Sequence, residues 1–303
     1  MTRRIIAPEW VVQGFEFPAD VEVTFNDDLP QLPDEVIASA QFIVIPYMQG
    51  PKAIQQSLPR MKNVEVIQLL TAGFDNIYPH MPAGVKLCNA GGVHDDSTSE
   101  MALTLALCAL RDIPESVNLQ TQKLWGHYFS HSLADKKVLL IGYGGVGKAI
   151  ERRLIPFECD VIPVATNARD HVKAIEELPN LIPDADLIFL AVPLNDKTKG
   201  LVDQKFLSKM KPGALLINVA RGPVVDTMAL VDALNAGKIR AALDVTDPEP
   251  LPTEHPLWQA PNCLITPHLG GDTDIFEKRA RRRIHGQLER WLTNAPLDCV
   301  IIN

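Results

Sequence analysis

Short apolar runs, each the length of one buried strand, recur along the whole chain with helix-like stretches between them. In the first third they fall near 4–7, 21–25, 42–46, 64–70 and 85–88. The intervening "PDEVIASA" and "PKAIQQSLPRM" predict short helices opened by Pro33 and Pro51, since proline suits the first helical turn. A second series follows: "KKVLLIG" (136–142), 161–165, "DLIFLAV" (186–192), "ALLINVA" (214–220), "AALDV" (241–245) and "CLIT" (263–266). Strands alternating with helices predict parallel sheets, and six such runs match a doubly wound dinucleotide fold. "STSE" (97–100) has the form of a capping box opening a nearly all-apolar helix to about Arg111. A helix apolar all round is buried, in a domain core or a subunit interface. A last helix over about 272–293 precedes "LDCVII", which could return to the first domain. The expected organisation is therefore a domain of residues 1–96 plus 294–303 and a dinucleotide-binding domain over 97–293.

The chain has 303 residues, 46% of them hydrophobic, enough for two ordinary domains. Its 29 basic residues stand against 37 acidic ones, a net charge of -8. That balance argues against a nucleic-acid or membrane-surface partner. The basic run Arg279, Arg281, Arg282 and Arg283 reads as a solvated helix face or an interdomain contact. Cys88, Cys108, Cys159, Cys263 and Cys299 are scattered without CxxC spacing, so neither a metal site nor a disulfide framework is expected. The N-terminus lacks the apolar run of a signal peptide, and the longest apolar stretch, Met101 to Leu110, is too short for a bilayer. A soluble cytoplasmic protein is the expectation.

"LLIGYGGVGKAIERRL" places Gly142, Gly144 and Gly147 in GxGxxG register, with Tyr143, Gly145 and Val146 between them. Alone the pattern is a weak signal. Between a strand and a helix it forms a pyrophosphate cradle: tight turn, close backbone approach, and helix packed on strand. An acid that bonds the adenosine ribose is expected at the end of the next strand. "VIPVATNARD" has Ala165 there, followed by Thr166, Asn167 and Arg169. Without the acid a 2′-phosphate is no longer repelled, and Arg169 can pair with it. NADP is therefore the preferred cofactor, with NAD possible. The alternative is that Arg169 merely begins a solvated helix capped by Asp170.

Arg221, Glu249 and His268 each follow a strand run of the second series, at the sheet end that faces the ligand crevice in open α/β folds. A guanidinium can grip a carboxylate, and an imidazole beside a carboxylate can pass a proton near neutral pH. Singly they could be a strand cap, a loop residue and a core histidine; the case rests on their joint placement.

At these residues the chain resembles the D-isomer-specific 2-hydroxyacid dehydrogenases over nearly its whole length. The likeness is carried by "LLTAGFDNI" (69–77), "STSEMALTLALCALRDI", "PLNDKTKGLVD", "MKPGALLINVARGPVVD", "LVDALNAGKIRAALDV" and "HPLWQAPNCLITPHLGG". It implies a Rossmann cofactor domain inserted in a smaller flavodoxin-like α/β substrate domain, and reduction of a 2-oxo acid to the D-2-hydroxy acid. In that reading Arg221 grips the substrate carboxylate, His268 is the general acid, and Glu249 raises its pKa. Ala72 and Gly73 offer amides to the carboxylate. Asp244 holds the nicotinamide carboxamide, while Pro193, Thr198 and Ala220 line the cofactor path. The other histidines lie in no matching motif and receive no chemistry. Glutamate at 249, where the family's formate dehydrogenases carry glutamine, argues against formate oxidation. With no regulatory domain after the core, serine-feedback phosphoglycerate dehydrogenases are disfavoured too. The family's common dimer packs through the cofactor domain, which gives the apolar helix and Trp125 a use and implies a homodimer.

The loop matching the family's substrate-specificity loop is "PYMQGPK" (46–52), with bulky, uncharged Tyr47, Met48 and Gln49 and one cation, Lys52. A phosphorylated substrate would call for cations. The expectation is a small unphosphorylated 2-oxo acid, glyoxylate or hydroxypyruvate first, unless a cation such as Arg60 or one from the 272–283 segment reaches the site. The alternatives are phosphoglycerate dehydrogenase-type activity, or a nicotinamide-sensing protein like the family's corepressors.

Overall fold

The computed structural model describes residues 2–49 and 51–302, so Gly50 of the "PYMQGPK" loop lies outside the described residues. The chain divides into two compact units, Met1–His94 with Thr273–Asn303, and Asp95–Asp272.

The first unit begins with β1 (Arg3–Ala7), α1 (Glu9–Val12), β2 (Val21–Phe25), α2 (Asp34–Ser39), β3 (Phe42–Val44), α3 (Pro51–Ser57), β4 (Val66–Gln68) and β5 (Lys86–Cys88). Its sheet runs β2-β1-β3-β4-β5, all parallel, which is the flavodoxin order. The three residues of β3 and of β4 are all buried, as expected of strands covered on both faces.

The second unit contains α4 (Asp95–Leu110), α5 (Ile113–Thr121), β6 (Lys137–Ile141), α6 (Gly145–Leu154), β7 (Asp160–Ala165), β8 (Lys173–Ala174), α7 (Leu178–Leu181), β9 (Leu187–Leu190), α8 (Gln204–Lys209), β10 (Leu215–Asn218), α9 (Thr227–Asn235), β11 (Arg240–Leu243) and β12 (Cys263–Ile265). The order β8-β7-β6-β9-β10-β11-β12, parallel throughout, is the doubly wound dinucleotide order with one further strand. All six expected strands are present. The seventh, β8, is two residues long and leaves no hydrophobic run to read.

The chain closes with α10 (Phe276–Leu292) and β13 (Val300–Ile302), and β13 pairs antiparallel with β5. The expected domain boundaries need correction here. The unit boundaries fall at 94/95 and 272/273, and α10 groups with the first unit rather than with the dinucleotide domain. Its apolar stripe Phe276, Ala280, Ile284 and Leu288 packs with Ile5, Val11, Phe42, Val44 and Val66. An apolar stripe at helical spacing says that a helix is half-buried, but not on which core.

The capping box also needs correction. α4 starts at Asp95, three residues before the start that a Ser97 cap implies, so Ser97 sits inside the first turn and Ser99 Oγ donates to the Asp96 carbonyl at 2.8 Å. Two aspartates open the helix instead, favourably placed at its positive end. Asp96 then accepts from Arg152 and Arg153 of α6, at 2.7 and 3.1 Å. Ala102, Leu103, Leu105, Ala106, Ala109 and Leu110 of α4 are buried with β6 and β9 residues, so its apolar surface serves this unit's core.

Candidate active site

The glycine loop joins β6 to α6. Gly142 adopts φ +103°, and a Cβ there would lie 2.3 Å from the Ala191 carbonyl oxygen. A Cβ on Gly147 would lie 2.1 Å from the Gly142 carbonyl oxygen. The chain itself thus requires these two glycines. At Gly144 a Cβ would meet nothing within 4 Å, so the fold does not require that glycine. An open backbone at the N-cap of a ten-residue helix is what a pyrophosphate needs for close approach. The residues present fit a dinucleotide.

Tyr143, inside this loop, is fixed by its hydroxyl. It bonds the Glu151 carboxylate and lies 3.2 Å from His171 Nε2, which is 3.0 Å from Glu151 Oε1. Burial, followed by the hydrogen bond and charge of Glu151, pushes the Tyr143 phenol up to about 12. The Arg169 guanidinium lies 5.9 Å from the Tyr143 ring centre, and its Nη2 donates to the Tyr143 carbonyl at 3.2 Å. Arg169 does not begin a helix. It pairs with Val172 across a tight turn, with backbone hydrogen bonds of 3.0 and 2.7 Å and Asp170 at φ +45°. The helix-cap alternative for Arg169 and Asp170 falls with that geometry. Ala165 ends β7, and Thr166 and Asn167 follow it, exposed.

Pro193 and Thr198 belong to the loop after β9. Thr198 is buried; its hydroxyl donates to the Pro193 carbonyl at 2.6 Å and accepts from the Asn195 amide at 2.9 Å. That side chain shapes the loop carrying exposed Pro193 instead of reaching out of it. Ala220 follows β10, buried, its amide bonded to Asn218 Oδ1 at 3.0 Å.

Arg221 comes next, half-buried, with Nη1 donating to the Ala220 carbonyl at 2.7 Å. Gly222 beside it is indispensable: a Cβ would lie 1.8 Å from the Thr246 carbonyl oxygen. Glu249 sits in the loop after β11 and His268 in the turn after β12. His268 Nδ1 and Glu249 Oε1 are 2.5 Å apart. The hydrogen bond and charge of Glu249 hold His268 above the usual imidazole range, against desolvation and against the charge of Arg221. The pair is solvent-accessible, at 43% and 39%, so an incoming molecule can reach the ring. An accessible imidazole paired with a carboxylate and within electrostatic reach of a guanidinium can bind an anion and donate a proton to it.

Sequence reasoning missed what holds His268. Asp244, 2% exposed, accepts from Thr266 Oγ1 at 2.6 Å, the Leu269 amide at 2.9 Å and the Gly270 amide at 2.8 Å. Its backbone carbonyl takes the His268 amide at 2.8 Å. Most of the carboxylate is thus spent on the histidine turn, leaving Oδ2 with room for a further donor. A buried acid at a strand end was visible in the sequence, but its partners were not.

In the first unit, Tyr47 packs on Phe276, with ring centres 4.1 Å apart, and Met48 is 73% exposed at φ +60°. Ala72 and Gly73 lie half-buried in the turn after β4. Of the cations that could have served a phosphorylated substrate, Arg60 is committed elsewhere, to Asp34 Oδ1 at 2.6 Å and to the carbonyls of Pro30 and Leu32. Arg281 donates to the Trp10 carbonyl at 2.9 Å and Arg283 to the Gly91 carbonyl at 2.5 Å.

The family model described as "D-isomer specific 2-hydroxyacid dehydrogenase, NAD binding domain" matches residues 103–270, most of the second unit. The chain is 36% identical over 225 residues to the human glyoxylate reductase/hydroxypyruvate reductase, covering 70% of this chain and 69% of that one. Among solved structures, it resembles a D-isomer specific 2-hydroxyacid dehydrogenase family protein from Aeromonas salmonicida, with a TM-score of 0.88, 25% identity and coverage of 100% and 99%. A D-isomer specific 2-hydroxyacid dehydrogenase from Xanthobacter autotrophicus, solved with NADPH and MES, gives a TM-score of 0.83, 25% identity and coverage of 100% and 98%. The residues that carried the resemblance, the two sheet orders and these matches agree, and the chain belongs to the D-isomer-specific 2-hydroxyacid dehydrogenase family.

Proposed function

We propose that this protein reduces a small unphosphorylated 2-oxo acid, glyoxylate or hydroxypyruvate, to the corresponding D-2-hydroxy acid, with NADPH preferred over NADH. The observation that carries the reading is the close His268–Glu249 pair beside Arg221, at the ends of strands in a unit with a dinucleotide cradle. When bound, the nicotinamide supplies the hydride to substrate C2. Arg221 grips the substrate carboxylate and polarises the 2-oxo group, and His268, held protonated by Glu249, delivers its proton to the 2-oxygen. The family resemblance assigns the backbone amides of Ala72 and Gly73 to the substrate carboxylate. Arg169, laid on Tyr143 next to an acid-free strand end, is offered to the 2′-phosphate. The Xanthobacter relative, solved with NADPH, supports that choice of cofactor.

We read the molecule as a cytoplasmic homodimer. Leu124, Trp125 and Phe129, at 56%, 101% and 96% exposure, leave apolar surface of the kind that marks an interface. No helix among the described residues is long and apolar enough to cross a membrane.

The deciding experiment is a set of specificity constants for glyoxylate, hydroxypyruvate, 2-oxoisocaproate and 3-phosphohydroxypyruvate, each with NADPH and with NADH. The expected order puts glyoxylate or hydroxypyruvate with NADPH first. A tenfold advantage for the phosphorylated compound, about 1.4 kcal/mol of transition-state binding, would overturn the substrate reading. Cofactor binding without turnover of any 2-oxo acid would identify a sensor instead.

A further inference from the structure

His94 belongs to none of the motifs that carry the family resemblance, yet its surroundings tie together three parts of the first unit. It is 7% exposed. Its Nε2 lies 2.9 Å from the Leu70 carbonyl oxygen, a geometry in which the ring donates. One face stacks on Phe276 of α10, 5.2 Å between centres and 17° between planes. Tyr47 stacks on the same ring at 6.1 Å and 19°, and Tyr47 and Phe276 touch each other at 4.1 Å.

The bond to Leu70 is one of a series. Ala90 N donates to the Thr71 carbonyl at 2.9 Å, Asn89 Nδ2 to the Ala72 carbonyl at 2.7 Å, and Thr71 Oγ1 to the Gly73 carbonyl at 2.8 Å. Four consecutive carbonyls, 70 to 73, are therefore taken up, three of them by the segment 89–94. Once the carbonyls of a short turn are all fixed, the directions of its peptide planes, and so of its amides, are fixed with them. Ala72 and Gly73, whose amides the family resemblance gives to the substrate carboxylate, sit inside this turn.

We propose that His94 is a positioning residue that locks the 70–73 turn and the Tyr47–Met48 loop to each other, so that the carboxylate cradle and the specificity loop hold one relative geometry. The inference rests on the proposed 2-oxo acid reading and deepens it. The hydrogen bond sets the turn, the stack sets the loop, and one side chain supplies both. Phenylalanine keeps the stack and removes the donor; glutamine keeps a donor and removes the stack.

The test separates those two functions in the full-length protein. His94→Phe is expected to weaken inhibition by oxamate and to raise the KM for glyoxylate, each about five- to tenfold, the size of one lost hydrogen bond and the loosening that follows it. Its NADPH dissociation constant and kcat stay within twofold. His94→Gln is expected to hold oxamate within threefold of the wild type while changing the ratio of specificity constants for glyoxylate and hydroxypyruvate by threefold or more. Hydrogen exchange supplies a readout independent of turnover. His94→Phe should speed exchange in peptides covering 70–73, and His94→Gln in peptides covering 45–49, with peptides of the second unit unchanged. Unaltered exchange at both segments, or a lowered Tm with unchanged oxamate inhibition, overturns the positioning role. A wild-type protein that neither binds oxamate nor reduces glyoxylate overturns the 2-oxo acid reading itself, and the exchange data then still judge the lock.

Discussion

The turn that carries His268 and the loop that carries Met48 share one backbone feature. Each places a non-glycine residue in the left-handed region, at φ +55° and +60°. Such a residue costs roughly 1–2 kcal/mol. The turn at His268 offsets that with the buried Asp244, whose carboxylate and carbonyl take three backbone amides and one hydroxyl. Around Met48 the supports are of another kind: stacking of the Tyr47 ring on His94 on one side, and on the other the Gln49 side-chain amide reaching Asp28 at 3.3 Å. Directional bonds to a buried charge hold an atom to a few tenths of an ångström. Ring faces hold a loop by shape, without directional bonds to its backbone. The first arrangement suits a proton donor and the second suits a surface that sorts substrates by shape.

If that contrast is right, disturbing the pinned side should cost orders of magnitude and disturbing the stacked side only small factors. The largest effect is expected from His268→Ala, which should lower the turnover of 2-oxo acid reduction by about 100–10,000-fold, the usual worth of positioned acid–base catalysis. Fluorescence titration should show NADPH binding unchanged, and near-normal turnover would remove His268 from the chemistry. Next comes Arg169→Ala, in a turn pinned to Tyr143. It should raise the KM for NADPH by about tenfold or more, as the loss of a charge-assisted bond requires, while leaving NADH nearly untouched. Equal changes for both cofactors would take Arg169 out of the phosphate site.

A smaller effect, and one with a definite sign, is expected from Glu249→Gln. Glu249 raises the His268 pKa, so reduction, which needs the protonated ring, should persist above pH 6.5 and fall as pH rises through the raised value. Removing the carboxylate charge lowers that pKa, and the alkaline limb of kcat/KM should move to lower pH. An unmoved limb would mean that another group is titrating. The smallest effect belongs to Met48→Ala on the stacked side. With the side chain 73% exposed, stability should change by no more than about 0.5 kcal/mol. Relative preference among 2-oxo acids should shift only a few-fold, and a hundredfold loss of turnover would erase the contrast.

Much of this was legible from the chain because apolar runs report burial directly. Both sheets could be read from them, and Gly142, Gly144 and Gly147 announced a cradle by their spacing between a strand run and a helix. Where reading failed, the deciding contact was remote in sequence. Ser97 and Glu100 fit a capping pattern, but Asp96 has Arg152 and Arg153 to meet from another helix, and the helix starts earlier. The last helix was legible, while the core that its stripe covers lies more than two hundred residues back. The resemblance assigned Asp244 to the nicotinamide carboxamide, but nothing local reveals that the amides of 269 and 270 also return to it. Arg169 looked able to start a helix because a two-residue strand after it carries no pattern.

The discontinuity of the first unit bears on how the protein comes to be made. Its hydrophobic interior draws on both ends of the chain, with all of 95–272 in between. During synthesis the second unit has every strand it needs once residue 265 has emerged, whereas the first is still without α10 and β13. Until then Ile5, Val11, Phe42, Val44 and Val66 lack the cover of Phe276, Ala280, Ile284 and Leu288. β5 likewise keeps an open edge until β13 arrives, and an open edge is a template for the wrong partner. The unit translated first is therefore the unit completed last, and a chain that has emerged only as far as residue 272 holds one finished α/β unit and one unfinished one.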